Sequence, residues 1–383
     1  MEFDCYFGSV NRKRLRTFLT GTAVVLIALL TATIASTSGC ASFGAVSVPH
    51  QKSAHYGNGK FVNEEQTGVM RDGAGGALHE WLSSTTMRAP SCPLPLVTPT
   101  FTSPPASGLR ITWLGHSTTL IELDGAVILT DPMWSERASP STWVGPKRFH
   151  PPVLPLDQLP KLDAVIISHD HYDHLDMNTV KALAQTGVPF HVGLGVGRHL
   201  EGWGVPTAQI IEHDWESVTK LPNGMEIVST PARHFSGRRG FGNNGTLWTS
   251  WSLVGPVHRV FFSGDTGLTR AFSSVAEKWG PFDVAMLEIG QWHPSWGDIH
   301  LGPDGALKAF ALLRAKKLFP IHWSTFELGL HAWSEPAETL TLEAEKRGVA
   351  IVTPRLGESV EPLEAQTRAW WRAYPPMTTE CPK

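Results

Sequence analysis

One nine-residue stretch restricts this chain more than any other: Ser168-His169-Asp170-His171-Tyr172-Asp173-His174-Leu175-Asp176. It follows the apolar run Ala164-Val165-Ile166-Ile167 directly and packs three histidines and two aspartates into residues 169–174. Imidazole and carboxylate are the side chains that hold zinc and related divalent metals in proteins. The apolar run reads as a short buried strand. Where the backbone stays extended beyond it, alternate residues share a face, so His169 and His171 point the same way. Asp173 and His174 then fall at the turn into the next segment, where Asp176 is a good N-cap for a helix over Met177–Gln185. The pairing suits two metals, which hydrolytic sites hold about 3.5–4 Å apart.

Four ligands are too few for two metals, and the sequence offers more. Met225–Thr230 reads as a strand followed by His234, Arg259–Ser263 as a strand followed by Asp265, and Lys317–Ile321 as a strand followed by His322. Each candidate sits just past the end of an apolar run, where open α/β sheets build their sites.

The order HxHxDH, then His, then Asp, then His resembles the metallo-β-lactamase superfamily over roughly Leu109 to Glu358. The resemblance implies an α/β fold, the αβ/βα four-layer sandwich, with the site along one sheet edge. It implies two zinc ions per chain: one on His169, His171 and His234, the other on Asp173, His174 and His322, with Asp265 bridging them. Alternating strand and helix signals agree with a layered α/β architecture.

Further segments narrow the resemblance: Trp113–Thr118, Leu129–Pro132, Gly145–Phe149, Trp248–Ser252, Phe262–Gly267, Gly280–Asp283, Ile321–Phe326 and His331–Pro336. Together they are similar to the N-acylphosphatidylethanolamine-hydrolysing phospholipase D family and its bacterial relatives. Members of that family are zinc phosphodiesterases that release phosphatidic acid and an N-acylethanolamine. The resemblance implies a catalytic set of Asp173, Asp265 and His300, the last matching a family site residue in Asp298-Ile299-His300. At Glu288 the chain departs from the pattern, which has Pro there. His116, Asp131 and His331 are candidates for a supporting or substrate-facing role, Asp131 being the carboxylate best suited to accept the second N–H of a ligating histidine. Each of these, and His300 with them, reads equally as a polar residue satisfied locally in a turn.

Other patterns are weaker. Gly193-Leu194-Gly195-Val196-Gly197 lacks the full dinucleotide fingerprint and reads as a strand-to-helix turn. Asp304 reads as a first-turn carboxylate on a helix over Ala306–Ala315. Most of the 15 tryptophans belong in the core, with a few suited to line an apolar cleft.

The chain's 383 residues suffice for one large domain, placed at 109–361, and its net charge of −3 argues against a nucleic-acid partner. Ahead of the domain, Arg12, Lys13, Arg14 and Arg16 precede the uncharged stretch Thr17–Ala35 and then Thr37-Ser38-Gly39-Cys40. This resembles a bacterial lipoprotein signal, residues 1–39, with Cys40 lipidated as the first mature residue. An uncleaved membrane helix is the alternative. Residues 40–108 read as a tether and arm, the tether running from 41 to 59, with a short helix within 61–84 and an extended Pro/Ser-rich connector over 90–108; residues 362–383 read as a tail. Cys92 and Cys381 either bridge the two arms or stay free.

These features describe a membrane-anchored dizinc hydrolase of the cell envelope, facing the periplasm, whose substrate is a lipid or small-molecule phosphodiester; a homodimer is allowed for. A metal-dependent lactonase or other phosphoesterase is the nearer alternative, and a non-catalytic metal-bound envelope protein the farther one.

Overall fold

The computed structural model describes residues 41–45, 52–70, 86–238, 244–374 and 381. The chain divides after Phe43, and the unit from Gly44 onward carries everything below. It starts with a small hairpin, β1 (Tyr56–Gly57) and β2 (Lys60–Phe61). The first large sheet opens as an antiparallel meander of β3 (Leu109–Gly115), β4 (Thr118–Leu123) and β5 (Ala126–Thr130). It continues in parallel through β6 (Ala164–Ile166), β7 (Phe190–Gly193) and β8 (Ile210–His213). Parallel neighbours need long crossovers: a long loop over 131–163 links β5 to β6, and helices α1 (Met177–Ala184) and α2 (Gly197–Gly202) supply the next two.

The second sheet repeats this plan. Strands β9 (Val218–Lys220), β10 (Glu226–Thr230), β11 (Ser250–Val254) and β12 (Arg259–Phe262) run antiparallel. Then β13 (Val284–Glu288) and β14 (Lys317–Ile321) run parallel to β12, with α3 (Ala271–Trp279) and α4 (Gly302–Leu312) between them. Helix α5 (Glu335–Arg347) follows and stops at Gly348, whose φ of 65° is the left-handed conformation that ends helices. The chain then returns as β15 (Ser359–Val360) to pair with β3, completing sheets of seven and six strands.

One buried core joins Ile111, Ile128 and Val165 of the first sheet to Ile227, Trp251, Phe261 and Met286 of the second, with Val180, Phe272, Leu307 and Leu340 from the helices. This is the expected α/β sandwich of two facing sheets. The Trp251 indole donates across the sandwich to the Ile167 carbonyl at 3.3 Å.

Direction places the site. Strands β10 and β12 are both antiparallel to β11 and so share a direction, and β13 and β14 follow it. Thr230, Phe262, Glu288 and Ile321 therefore end at one edge of the second sheet. In the first sheet, Thr130 pairs with Ile166, so Asp131 and Ser168 emerge side by side.

Local expectations meet the structure as follows. Helix α1 carries the expected N-cap, the Asp176 carboxylate accepting from the Asn178 N–H. Helix α4 begins four residues earlier than expected and takes in Asp304 in its first turn. The segment 193–197 is a strand-to-helix turn. The tether over 41–59 is corrected at its C-terminal end: Tyr56–Gly57 forms a strand of the hairpin and Tyr56 packs on a cluster in which Phe61 is fully buried among Leu194, Trp215, Leu247 and Trp248. Residues 62–70 of the expected helix are not helical, and 71–85 lie outside the described residues. The C-terminal tail is not loose either. Trp371 is buried, sits edge-on to Trp323, and donates its indole N–H to Glu338 at 2.8 Å. Cys92 and Cys381 form a disulfide. The signal segment and Cys40 lie outside the described residues. Among the described residues no helix is long and apolar enough to cross a membrane.

Because Phe61 fills a closed cluster, Phe61→Ala is expected to destabilise the domain by about 3–5 kcal/mol in urea unfolding. A loss near zero would mean that the arm is not part of the folded unit.

Candidate metal centre

His169 and His171 leave the end of β6, His234 follows β10, Asp265 follows β12 and His322 follows β14, so four strand ends at one edge of the sandwich contribute. A close approach makes this possible at Gly264, where a Cβ would collide with the Ser168 side chain. Only glycine lets the loop of β12 come so near that of β6.

The seven residues expected from the sequence converge as two groups. In the first, His169 Nε2 lies 2.8 Å and His234 Nε2 3.4 Å from His171 Nδ1. Asp265 Oδ2 stands 3.9 Å from both His169 and His234. In the second, Asp173 Oδ2 lies 3.2 Å from His174 Nε2 and 3.4 Å from His322 Nε2. Asp265 reaches this group too, with Oδ2 at 3.2 Å from His174 and Oδ1 at 3.1 Å from His322. Candidate ligand atoms of His169, His171, His234 and Asp265 lie within 4.8 Å of one another, as do those of Asp173, His174 and His322 with His116.

The close contacts among Asp173, His174, His322 and Asp265 are not hydrogen bonds of good geometry, so they do not satisfy the atoms involved. His174 Nε2, His322 Nε2 and Asp265 Oδ1 are buried with no hydrogen-bond partner. A buried polar atom without a partner costs about 1–3 kcal/mol, more when charged. A divalent cation is what such a donor set fits, because one ion accepts several lone pairs at once. The electrostatics point the same way. Burial opposes charge on His322, but Asp265 and Asp173 outweigh it and raise its pKa to about 10. Burial likewise opposes charge on His174, yet Asp265, Asp173 and Asp131 hold its pKa well above the usual value. His169 and His234 go the other way, pushed well down by burial and by neighbouring imidazoles. The carboxylates thus draw positive charge into a buried pocket.

Behind the ligands, Asp131 is the organising carboxylate. It accepts from His174 Nδ1 at 2.6 Å, Ser168 Oγ at 2.7 Å and the Ser168 N–H at 2.7 Å. Ser168 Oγ in turn lies 2.9 Å from His169 Nδ1. His234 Nδ1 bonds to the Ile299 carbonyl at 2.9 Å. His116 packs 4.1 Å from the His322 ring, and burial with the nearby His322 pushes its pKa to about 3. As a neutral imidazole it donates from Nε2 to Asp173 at 2.9 Å. His116, Asp131 and His322 all take left-handed backbone, at φ of 55°, 34° and 65°. Non-glycine residues pay of order 1–3 kcal/mol for this, a strain that concentrates at functional sites.

Glu288 is fully buried and is not a free charge facing the pocket. Its oxygens accept from His300 Nδ1 at 3.1 Å, the Leu301 N–H at 2.9 Å and the Thr266 N–H at 3.2 Å. His300 is held by it at the cavity wall, and burial of that imidazole is outweighed by Glu288 and Asp265, which raise its pKa. His331 is not brought into the cluster. Its Nε2 accepts from the Gln291 N–H at 2.8 Å and its Nδ1 donates to the Ala332 carbonyl at 2.9 Å, so it braces the loop that carries Gln291.

The ligands open on a cavity of about 240 Å³, with an apolar rim of Val69, Met70, Phe235, Trp296 and Leu328. Two of these come from the arm, whose part in the site the sequence did not announce. Asn63 clamps the backbone of His234 from both sides, its Nδ2 donating to the carbonyl at 2.8 Å and its Oδ1 accepting from the N–H at 3.1 Å. No local pattern marks Asn63, because its partner lies 171 residues away. Since Asp131 orients two candidate ligands, Asp131→Asn is expected to weaken metal affinity about 10–100-fold in chelator competition. Unchanged affinity would remove Asp131 from that role.

Residues 127–323 match the family model described as the β-lactamase superfamily domain. An uncharacterized protein of Mycobacterium tuberculosis is 44% identical over 340 residues, covering 87% of this chain and 90% of the relative. The N-acyl-phosphatidylethanolamine-hydrolyzing phospholipase D 1 of Caenorhabditis elegans is 38% identical over 269 residues, covering 66% of this chain and 75% of the relative. Among solved structures, a metallo hydrolase of Ignicoccus hospitalis aligns with a TM-score of 0.51 at 26% identity, covering 66% of this chain and 97% of that one. The family match spans more than half of the chain, and the histidines and aspartates it encloses form the pocket described above: the chain belongs to the metallo-β-lactamase superfamily and is a metal-dependent hydrolase.

Proposed function

We propose that this hydrolase is a dinuclear zinc phosphodiesterase acting on phospholipids of the N-acylphosphatidylethanolamine type. The observation that carries the reading is Asp265, which stands between the two ligand groups at the foot of one cavity: its Oδ2 faces His169 and His234 on one side and His174 on the other, and its Oδ1 faces His322. His169, His171 and His234 would hold one ion, Asp173, His174 and His322 the other, and Asp265 both. When bound, such ions lower the pKa of water and neutralise phosphoryl charge. The chain's own residues do the rest. Glu288 occupies His300 Nδ1, which orients the opposite edge of the ring for a phosphate oxygen in the cavity that His300 lines. His116 and Asp131 keep Asp173 and His174 in place. The apolar rim shields the reacting group from bulk water and suits lipid chains.

The relative named as a phospholipase D supports the substrate class. Cavity size agrees with it: about 240 Å³ takes a head group, not two acyl chains, which must stay outside along the rim. The carboxylate at Glu288 is already engaged by His300 and two backbone N–H groups, so it does not oppose an anionic phosphate as a bare charge would.

We further propose that residues 1–39 direct export and that Cys40 is the lipid anchor at the periplasmic side of the envelope. The Cys92–Cys381 disulfide supports an oxidising compartment.

Purified protein is expected to carry about two divalent ions, with Asp265→Ala losing most of both by elemental analysis; a variant that kept its full complement would refute the shared ligand. Metal-loaded protein incubated with a panel of N-acylated phospholipids should release phosphatidic acid by mass spectrometry. His300→Ala should lower kcat about 10–100-fold without stripping metal. No phosphatidic acid from any of these lipids, alongside fast hydrolysis of a lactone or simple phosphoester, would replace the substrate class. Cys40→Ala should leave a longer, unprocessed precursor by intact mass. An unchanged mass with unchanged membrane association would favour a plain membrane helix.

A further inference from the structure

The loop Ser139–Gly145 carries Trp143, the most exposed large apolar side chain among the described residues. Trp143 is 81% exposed and Val144, beside it, 72%. Most other tryptophans of the described residues are buried or packed on the core, so a bare Trp-Val pair is not a by-product of composition. Nor is the loop slack. Ser141 Oγ accepts from the Trp143 and Val144 N–H groups at 3.1 and 3.3 Å, and Ser139 Oγ from the Ser141 N–H at 3.2 Å. At its base, Arg137 and Lys147 are bridged, the Ala138 N–H donates to the Pro146 carbonyl, and the Arg137 guanidinium donates to the Gly145 carbonyl at 2.6 Å. Gly145 sits at φ 113°, and a Cβ there would strike Ser139. The fold therefore presents the apolar tip in a set geometry, with little ordering entropy left to lose on contact.

Charge accompanies the tip. Arg137, Lys147 and Arg148 line an open cleft of about 610 Å³ beside the loop, with Glu327 opposite. Lys147 pairs with Glu136 at 2.6 Å and Glu327 with Arg88 at 3.3 Å, while Arg148 is buried behind them, so Arg137 is the cation that leaves the base with a positive balance. Tryptophan with basic neighbours is the pattern that settles at an anionic membrane surface. The loop is also joined to the active cavity. Arg148 is bridged to Phe326, the Phe149 N–H donates to the Thr325 carbonyl, and Leu328 of the same segment lines the cavity.

We propose that the Ser139–Gly145 loop is an interfacial docking element, which seats Trp143 and Val144 among the lipids of an anionic bilayer and brings the mouth of the cavity to the head groups. Its use in catalysis rests on the lipid reading above, because the cavity admits a head group while the acyl chains remain outside. Its binding role does not depend on that reading.

The test uses the full-length chain with vesicles of phosphatidylcholine and phosphatidylglycerol carrying brominated acyl chains. No tryptophan precedes Trp81, so an anchored N-terminus adds no tryptophan signal of its own. Bromolipid should quench part of the tryptophan emission, and Trp143→Ser should remove most of that quenching; Val144→Ser should weaken it, as should vesicles without phosphatidylglycerol. The double variant should lose about 10-fold in kcat/KM on vesicular lipid, the scale of one large apolar side chain, while bis-p-nitrophenyl phosphate is hydrolysed at the wild-type rate. Equal quenching in wild type and Trp143→Ser would overturn the proposal. So would a dimer in solution that Trp143→Ser disperses, since the patch would then be covered by a second copy. Wild-type protein that hydrolyses no vesicular lipid but shows Trp143-dependent quenching would refute the substrate reading and keep the docking element.

Discussion

A buried carboxylate anchors this molecule's chemistry. Asp131 is fully buried, and a charge there is tolerated only with partners on every side. It finds them in His174 and in both the hydroxyl and the N–H of Ser168. That contact closes the seam between the ends of β5 and β6 and sets two of the imidazoles that face the pocket. The rest of the pocket is built outward from it: Asp173 bonded to His116, His322 packed at a tilt against His116, Asp265 between the two groups.

The sandwich works because its two sheets are wound alike. Each begins as an antiparallel meander and ends in parallel strands joined by helices. This repetition brings strand ends from both sheets to one edge, where irregular backbone is free to carry polar side chains while the core behind remains apolar. Left-handed residues at His116, Asp131 and His322 show where the loops are forced to turn within one or two residues of a strand. The surrounding hydrogen bonds hold that strain in place.

The N-terminal arm and the C-terminal tail brace this edge. Phe61 fills a cluster of loop residues that flank strands of both sheets and Asn63 holds the backbone of His234, while Val69 and Met70 reach the cavity rim. At the other end Trp370 and Trp371 pack against Trp323, the residue after His322. Both chain ends thus stiffen loops that carry candidate ligands, and the Cys92–Cys381 disulfide joins them covalently.

What was legible in the sequence was local or strictly ordered. The apolar runs before His169, His234, Asp265 and His322 became strands within a residue or two, because short buried runs with β-branched residues have few other uses. Asp176 capped α1 because an N-cap needs only its own next two or three residues. The seven metal-facing residues were recognisable because their spacing and order are written along the chain. What the tertiary structure decided was every role that depends on a distant partner. Glu288 stood out only as a departure from the family pattern, and its role emerged once β13 set it beside His300. His331 had the chemistry of a site residue but spends both nitrogens on nearby backbone. Cys92 and Cys381 left pairing open across 289 residues, and the hold of Asn63 on His234 spans 171. Residue type and spacing determine which groups can bind a metal; only the pairing of strands and packing of sheets determines which of them meet.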